Sequence, residues 1–153
     1  MTSFRGTYSC KLDAKGRITF PAQYRRFMTE EDRGSFVIQS GEYDRVLQLY
    51  TDETFKKMEE ERLSGVGFTE EGVEVRRNFY LSVENLQLDS NERLLIPRGK
   101  LEEIAACGEL TLLGMGPYIE IWPSDEFARR YGKRSAAKEG ESAPEVSKAK
   151  GAK

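Results

Sequence analysis

Residues 12–21, L-D-A-K-G-R-I-T-F-P, and residues 88–97, L-D-S-N-E-R-L-L-I-P, set Leu, Asp, Arg and Pro in one frame twice, 76 residues apart from Asp13 to Asp89. A spaced Asp and Arg, followed by an apolar alternation that stops at Pro, is too specific to be composition noise. Around Asp13-Ala14-Lys15-Gly16, apolar residues alternate at Tyr8, Cys10 and Leu12 and again at Ile18 and Phe20. That predicts a β-hairpin with Gly16 at positive φ. Pro21 then opens a short helix, because its missing N–H costs nothing in a first turn, and Tyr24, Phe27 and Met28 fall on one helical face.

Outward from the motif the order of elements also repeats. Phe36 to Ser40 and Arg45 to Tyr50 flank Gly41-Glu42-Tyr43-Asp44 as a second hairpin, and Asp52 is placed as N-cap of a helix burying Phe55 and Met58. In the second copy, Leu94 to Ile96 leads to Pro97, a helix carrying Leu101 and Ile104, Gly108 as its stop, and a strand from Leu110 to Leu113. After the turn Gly114-Met115-Gly116-Pro117, Ile119 to Trp122 matches Leu47 to Tyr50, and Phe127 follows Phe55 by 72 residues. Between the copies, Thr69 caps a predicted helix to Leu81 that carries Val75 and Phe79 and packs across the join. Two copies in one chain predict one internally paired unit.

The 153 residues, 38% hydrophobic and 33% charged, suit a soluble globular protein with one shared core. The N-terminus has no apolar signal-peptide region, and the apolar runs are too short to span a membrane. The expected setting is the cytoplasm. Cys10 and Cys107 form no C-x-x-C pair, so they read as small buried side chains rather than a disulfide or thiolate metal site. Beyond residue 132 the aromatics vanish and Ala, Glu, Lys, Ser and Gly dominate, which predicts a disordered tail over 133–153.

The net charge of −2 hides a sharp asymmetry. Residues 1–28 carry Arg5, Lys11, Lys15, Arg17, Arg25 and Arg26 against Asp13 alone, whereas residues 29–75 carry thirteen acids against five bases. A basic face can attract phosphate while the rest of the molecule stays acidic. Within each copy the Asp carboxylate can accept N–H bonds of the turn while Arg projects from the returning strand. Arg suits DNA because its planar fork pairs with guanine or phosphate, and a two-stranded ribbon fits a major groove. Arg17 and Arg93 are therefore the first candidates, with Lys15 at the hairpin tip and Arg25 or Arg26 on the short helix reaching the phosphate backbone. The plainer reading of a single Asp-to-Arg spacing is a local turn ion pair worth roughly 0–1 kcal/mol. Its duplication in the same apolar frame favours a functional pair.

Phe4-Arg5-Gly6, Leu12 to Ile18 through Pro21, and Leu88-Asp89 through Arg93 and Pro97 resemble the MraZ family of bacterial transcriptional regulators, across residues 4–131. The resemblance implies a mainly β fold with short helices, built from two tandem AbrB-like swapped-hairpin modules that form an internal pseudo-dimer. On that reading the repeats span 7–54 and 83–126, a helical connector spans 55–82, and a C-terminal helix ends at 127–132. It further implies double-stranded DNA as partner, ring-shaped homo-oligomers, a nucleoid-associated protein, and repeated operator sites before the cell-division and cell-wall gene cluster. Carried over by position, the DNA-facing residues are Asp13 with Arg17 and Asp89 with Arg93. One departure stands out: the family's second motif usually keeps Gly before Arg, and this chain has Asn91-Glu92. Glu92 is expected to weaken or redirect the contact of Arg93, and Asn91 to supply the left-handed turn residue.

An enzyme is the rival from another class. With no His in the chain, His-based triads and His metal sites are excluded. A carboxylate dyad of Asp13 and Asp89 is conceivable, but Lys15, Arg17 and Arg93 would ionise both rather than let them share a proton. No cofactor, metal or small-molecule substrate is assigned, and Gly114-Met115-Gly116 reads as a hairpin turn. Trp122 and Tyr50 read as core or interface aromatics rather than base-stacking ones. A third reading is an antitoxin-type protein-binding module with 133–153 as its arm, weakened by the lack of apolar anchors there.

Overall fold

The computed structural model describes residues 2–32, 34–132 and 137–138. In chain order the elements are β1 Thr7–Lys11, β2 Arg17–Thr19, α1 Ala22–Arg25, β3 Ser35–Ser40, β4 Leu47–Thr51 and α2 Asp52–Leu63. Then follow α3 Glu70–Leu81, β5 Val83–Gln87, β6 Arg93–Leu95, α4 Arg98–Glu103, β7 Glu109–Gly114, β8 Ile119–Pro123, α5 Ser124–Tyr131 and β9 Ala137–Lys138. The chain is mainly β with short helices.

The main sheet runs β5-β3-β4-β8-β7-β1-β9, and β2 and β6 form a separate two-stranded ribbon. Without β9 the order is a palindrome, in which β5, β3 and β4 mirror β1, β7 and β8. Each first strand has crossed to the other repeat: β1 pairs antiparallel with β7, with Tyr8 opposite Leu112 and Cys10 opposite Leu110. Likewise β5 pairs with β3. The expected local hairpin around residues 13–16 is thus corrected. Its turn closes through Asp13 N–H to Arg17 O (3.0 Å), but β1 continues into the main sheet while β2 continues into the ribbon. Alternating side chains specify which face a strand buries, not which neighbour it takes.

The period of two explains the layers. Phe36 and Ile38 of β3, Leu47 and Leu49 of β4, Leu110 and Leu112 of β7, and Ile119 and Ile121 of β8 line one face. The ribbon closes over that face with Ile18 and Leu94, joined by Phe20, Tyr24 and Ile96, so both repeats supply one core. The opposite face of the sheet is covered twice, by Phe55 of α2 against Val37 and Tyr50, and by Phe127 of α5 against Val46 and Trp122. Tyr50 and Trp122 are buried, as their alternation predicts.

The connector helix α3 is capped where the sequence places it, with Thr69 Oγ1 accepting from Gly72 N–H at 3.1 Å. Phe79 packs on Phe55, and the Tyr80 hydroxyl donates to Glu59 of α2. Among the described residues no helix is long and apolar enough to cross a membrane.

Three local expectations are corrected. Thr51, not Asp52, caps α2, because its hydroxyl accepts from Thr54 N–H at 3.2 Å while Asp52 already lies in the first turn. Phe27 is exposed although Tyr24 and Met28 are buried, since α1 ends at Arg25 and the helical period stops there. Cys10 is buried but Cys107, in the loop before β7, is exposed. Within the stretch expected to be a disordered tail, Ala137–Lys138 runs parallel to β1. Residues 133–136 and 139–153 of that stretch lie outside the described residues.

Candidate nucleic-acid interface

Each repeat holds its arginine by the same clamp. Asp13 Oδ1 accepts from the backbone N–H of Lys15 and of Arg17, both at 2.9 Å, and Oδ2 accepts from Arg17 Nε at 2.8 Å. Asp89 Oδ1 accepts from Asn91 N–H at 2.8 Å and Arg93 N–H at 3.0 Å, and Oδ2 from Arg93 Nε at 3.1 Å. Because Nε is the clamped atom, the terminal nitrogens of each guanidinium stay available to another acceptor. The backbone N–H of Arg17, with the side-chain bond and charge of Arg17 and the N–H of Lys15, holds Asp13 well below the ordinary 3.8, at about 2. Asp89 is lowered in the same way, first by the N–H of Arg93. A proton-sharing dyad raises the pKa of one carboxyl, whereas both of these are lowered.

The ribbon fixes where these arginines point. In its antiparallel register Arg17 lies opposite Leu95, Ile18 opposite Leu94, and Thr19 opposite Arg93. Ile18 and Leu94 turn into the core, so Arg17, Thr19, Arg93 and Leu95 share the outward face. The tips are tied across the repeats: Ile96 N–H donates to Gly16 O, and Phe20 N–H donates to Glu92 O, both at 2.9 Å. Lys15 is exposed on the first tip.

The two tips differ at one position. Gly16 has φ +90°, and a Cβ there would lie 3.4 Å from Ile96 O and 3.5 Å from Leu101 Cδ1. Its counterpart is Glu92, at φ +62°, so the left-handed residue of the second tip is Glu92 rather than the expected Asn91. The Glu92 carboxylate lies 3.6 Å from Arg25 Nε, and Arg25 Nη1 donates to Phe20 O at 2.9 Å. Arg25 is therefore brought to the second tip. Arg26 is exposed beyond α1 and, among the described residues, makes no ion pair with either tip.

Around the first tip, Lys15, Gly16, Leu95, Arg98 and Leu101 line an open groove of about 430 Å³. At the second tip the equivalent groove is about 210 Å³ and is lined by Arg25 and Glu92. The Arg25–Glu92 pair and the outward placement of Thr19 and Leu95 are absent from the sequence reading. The repeat offset aligns Leu95 with Thr19 and could have revealed that placement, and it aligns Glu92 with Gly16, but it gives no sign that Arg25 meets Glu92.

A family model described as "MraZ protein, putative antitoxin-like" matches residues 3–72 and 79–145. Among curated relatives, the transcriptional regulator MraZ of Cytophaga hutchinsonii is 35% identical over 130 residues, covering 84% of this chain and 85% of its own. The transcriptional regulator MraZ of Christiangramia forsetii is 30% identical over 128 residues, 83% of this chain and 82% of its own. That of Heliobacterium modesticaldum is 29% identical over 134 residues, 87% and 89%.

Proposed function

The chain belongs to the MraZ family, and from that premise we propose that it is a sequence-specific DNA-binding transcriptional regulator. The observation that carries this reading is the ribbon, which presents Arg17 and Arg93 on one outward face, each oriented by its own Asp. A two-stranded ribbon of this kind enters a major groove, where an arginine fork pairs with guanine O6 and N7. Clamping Nε beforehand lowers the entropy lost on contact. Lys15 and Arg26 are assigned to phosphate, and Arg25 to the second tip, where it neutralises Glu92.

One protomer with a few phosphate contacts binds feebly. A ring of copies facing repeated operator sites gains effective concentration, and that assembly, acting as a repressor before the cell-division and cell-wall gene cluster, is the form the proposal takes. The protein is placed in the cytoplasm, associated with the nucleoid. Gel-shift titration on the DNA upstream of the chain's own gene tests this. Stepwise retarded species that dissolve with salt are expected, and no retardation at low salt contradicts it.

A further inference from the structure

Resting on the DNA-binding reading above, we propose that Leu95 and Thr19 read bases, each meeting the C5-methyl of a thymine beside the base that its neighbouring arginine contacts. The register makes Leu95 the cross-strand partner of Arg17, and Thr19 that of Arg93. Directly opposed residues of an antiparallel pair project on the same face, so one half of the ribbon offers a guanidinium beside an isobutyl group and the other a guanidinium beside the methyl of a threonine. Leu95 is 53% exposed although Leu94 and Ile96 beside it are at most 1% exposed. Its Cδ1 lies 3.8 Å from where a Cβ on Gly16 would stand, so this exposed side chain sits beside the first tip.

Charge decides the occupant. Leu95 shares its groove with Lys15 and Arg98, and its face of the ribbon with Arg17 and Arg93, whose charges Asp13 and Asp89 offset. This apolar group, beside cations that are unpaired among the described residues, suits a partner with anionic rims and apolar groups on its floor. The major groove has that chemistry, with phosphates at its edges and the thymine methyl as its apolar marker. A protein surface would have to supply its own acids around an apolar pocket. Leu95 belongs to the second repeat but stands beside Arg17 of the first, so each half-site is read by both repeats. The halves are unequal, because Leu covers a methyl more fully than Thr does.

The test uses the full chain and a duplex it selects from a randomised pool. Each thymine of that duplex is replaced in turn by deoxyuridine, which removes the methyl alone, and affinities are measured for the wild type, Leu95→Ala and Arg17→Ala. One thymine in the Arg17 half should cost the wild type about fourfold on replacement, the worth of one buried methyl. The same replacement should leave Leu95→Ala unchanged, and Leu95→Thr should reduce that thymine effect to the smaller one of the Thr19 half. Neutral replacement at every thymine, or a loss that persists in full in Leu95→Ala, overturns the inference. If Arg17→Ala abolishes binding while every replacement is neutral, only the methyl reading fails. If no duplex is selected, or Arg17→Ala binds as the wild type does, the DNA-binding reading fails and this inference falls with it.

Discussion

Tyr24 and Lys100 perform the same task in the two repeats with different chemistry. They lie at equivalent positions, and the Tyr24 hydroxyl donates to Gly6 O at 2.7 Å just as Lys100 Nζ donates to Ser82 O at 2.7 Å. Gly6 and Ser82 are themselves equivalent, each preceding the strand that crosses to the other repeat. Tyr24 adds a bond to Leu112 O (3.1 Å), and Lys100 one to Ser40 Oγ (2.8 Å). Gly6 O also accepts from Gly114 N–H (2.9 Å) and Ser82 O from Ser40 N–H (3.1 Å), so removing either donor deletes one bond at the crossing and leaves the other. Tyr24→Phe, which gives up bonds from a neutral hydroxyl, should lower unfolding free energy by about 0.5–1.5 kcal/mol, and Lys100→Met, which gives up bonds from a charged donor, by about 1.5–3 kcal/mol, measured by urea denaturation.

Ile18 and Leu94 face each other at the centre of the ribbon, 1% and 0% exposed. Truncation leaves a cavity between the repeats, so Ile18→Ala and Leu94→Ala should each cost about 2–5 kcal/mol. Because the two side chains share one site, the double variant should cost less than the sum, which a double-mutant cycle on urea midpoints reads directly.

Acid should loosen the first tip in a defined window. Asp13 has a folded value of about 2 against an ordinary 3.8, so its contribution is fully present above 3.8 and disappears as pH falls through about 2. Asp13→Asn removes that contribution at all pH values. The plot of urea midpoint against pH should therefore fall less steeply for Asp13→Asn than for wild type across that window. Equal slopes would show that the clamp does not persist in solution.

Glu92 lies 3.6 Å from Arg25 Nε, and on the DNA-binding reading it competes with phosphate for that side chain. In Glu92→Gln the ion pair is lost and the second tip gains positive character. DNA affinity should rise, and the plot of log affinity against log salt should steepen by about 0.9 if Arg25 then meets one phosphate. Salt titration of both proteins on one duplex measures it. An unchanged slope in the variant would place Arg25 outside the DNA face.

What the sequence made legible was local. The duplicated Asp-to-Arg frame located both tips and both clamps, and the hairpin read from Phe36 to Ser40 and Arg45 to Tyr50 is the antiparallel β3–β4 pair. The exchange of β1 and β5 was not derivable from those patterns, because Tyr8 and Cys10 alternate identically whether they pair with β2 or with β7. The family resemblance, which implied swapped hairpins, supplied what periodicity could not. Glu92 and Arg25 stayed hidden for a related reason. Their contact exists only across the pseudo-dyad, and Asn91 is the more usual left-handed residue, yet the backbone frame of the repeat assigns that conformation to the position aligned with Gly16.

The role of the ribbon as a DNA face is tested most directly by Arg17→Ala, titrated by gel shift against the DNA upstream of the chain's own gene over a range of salt. The variant should lose about one to three kcal/mol of binding, the worth of one bidentate base contact, while its urea midpoint stays near that of the wild type. Unchanged affinity together with an unchanged salt slope would contradict the assignment of this ribbon to DNA.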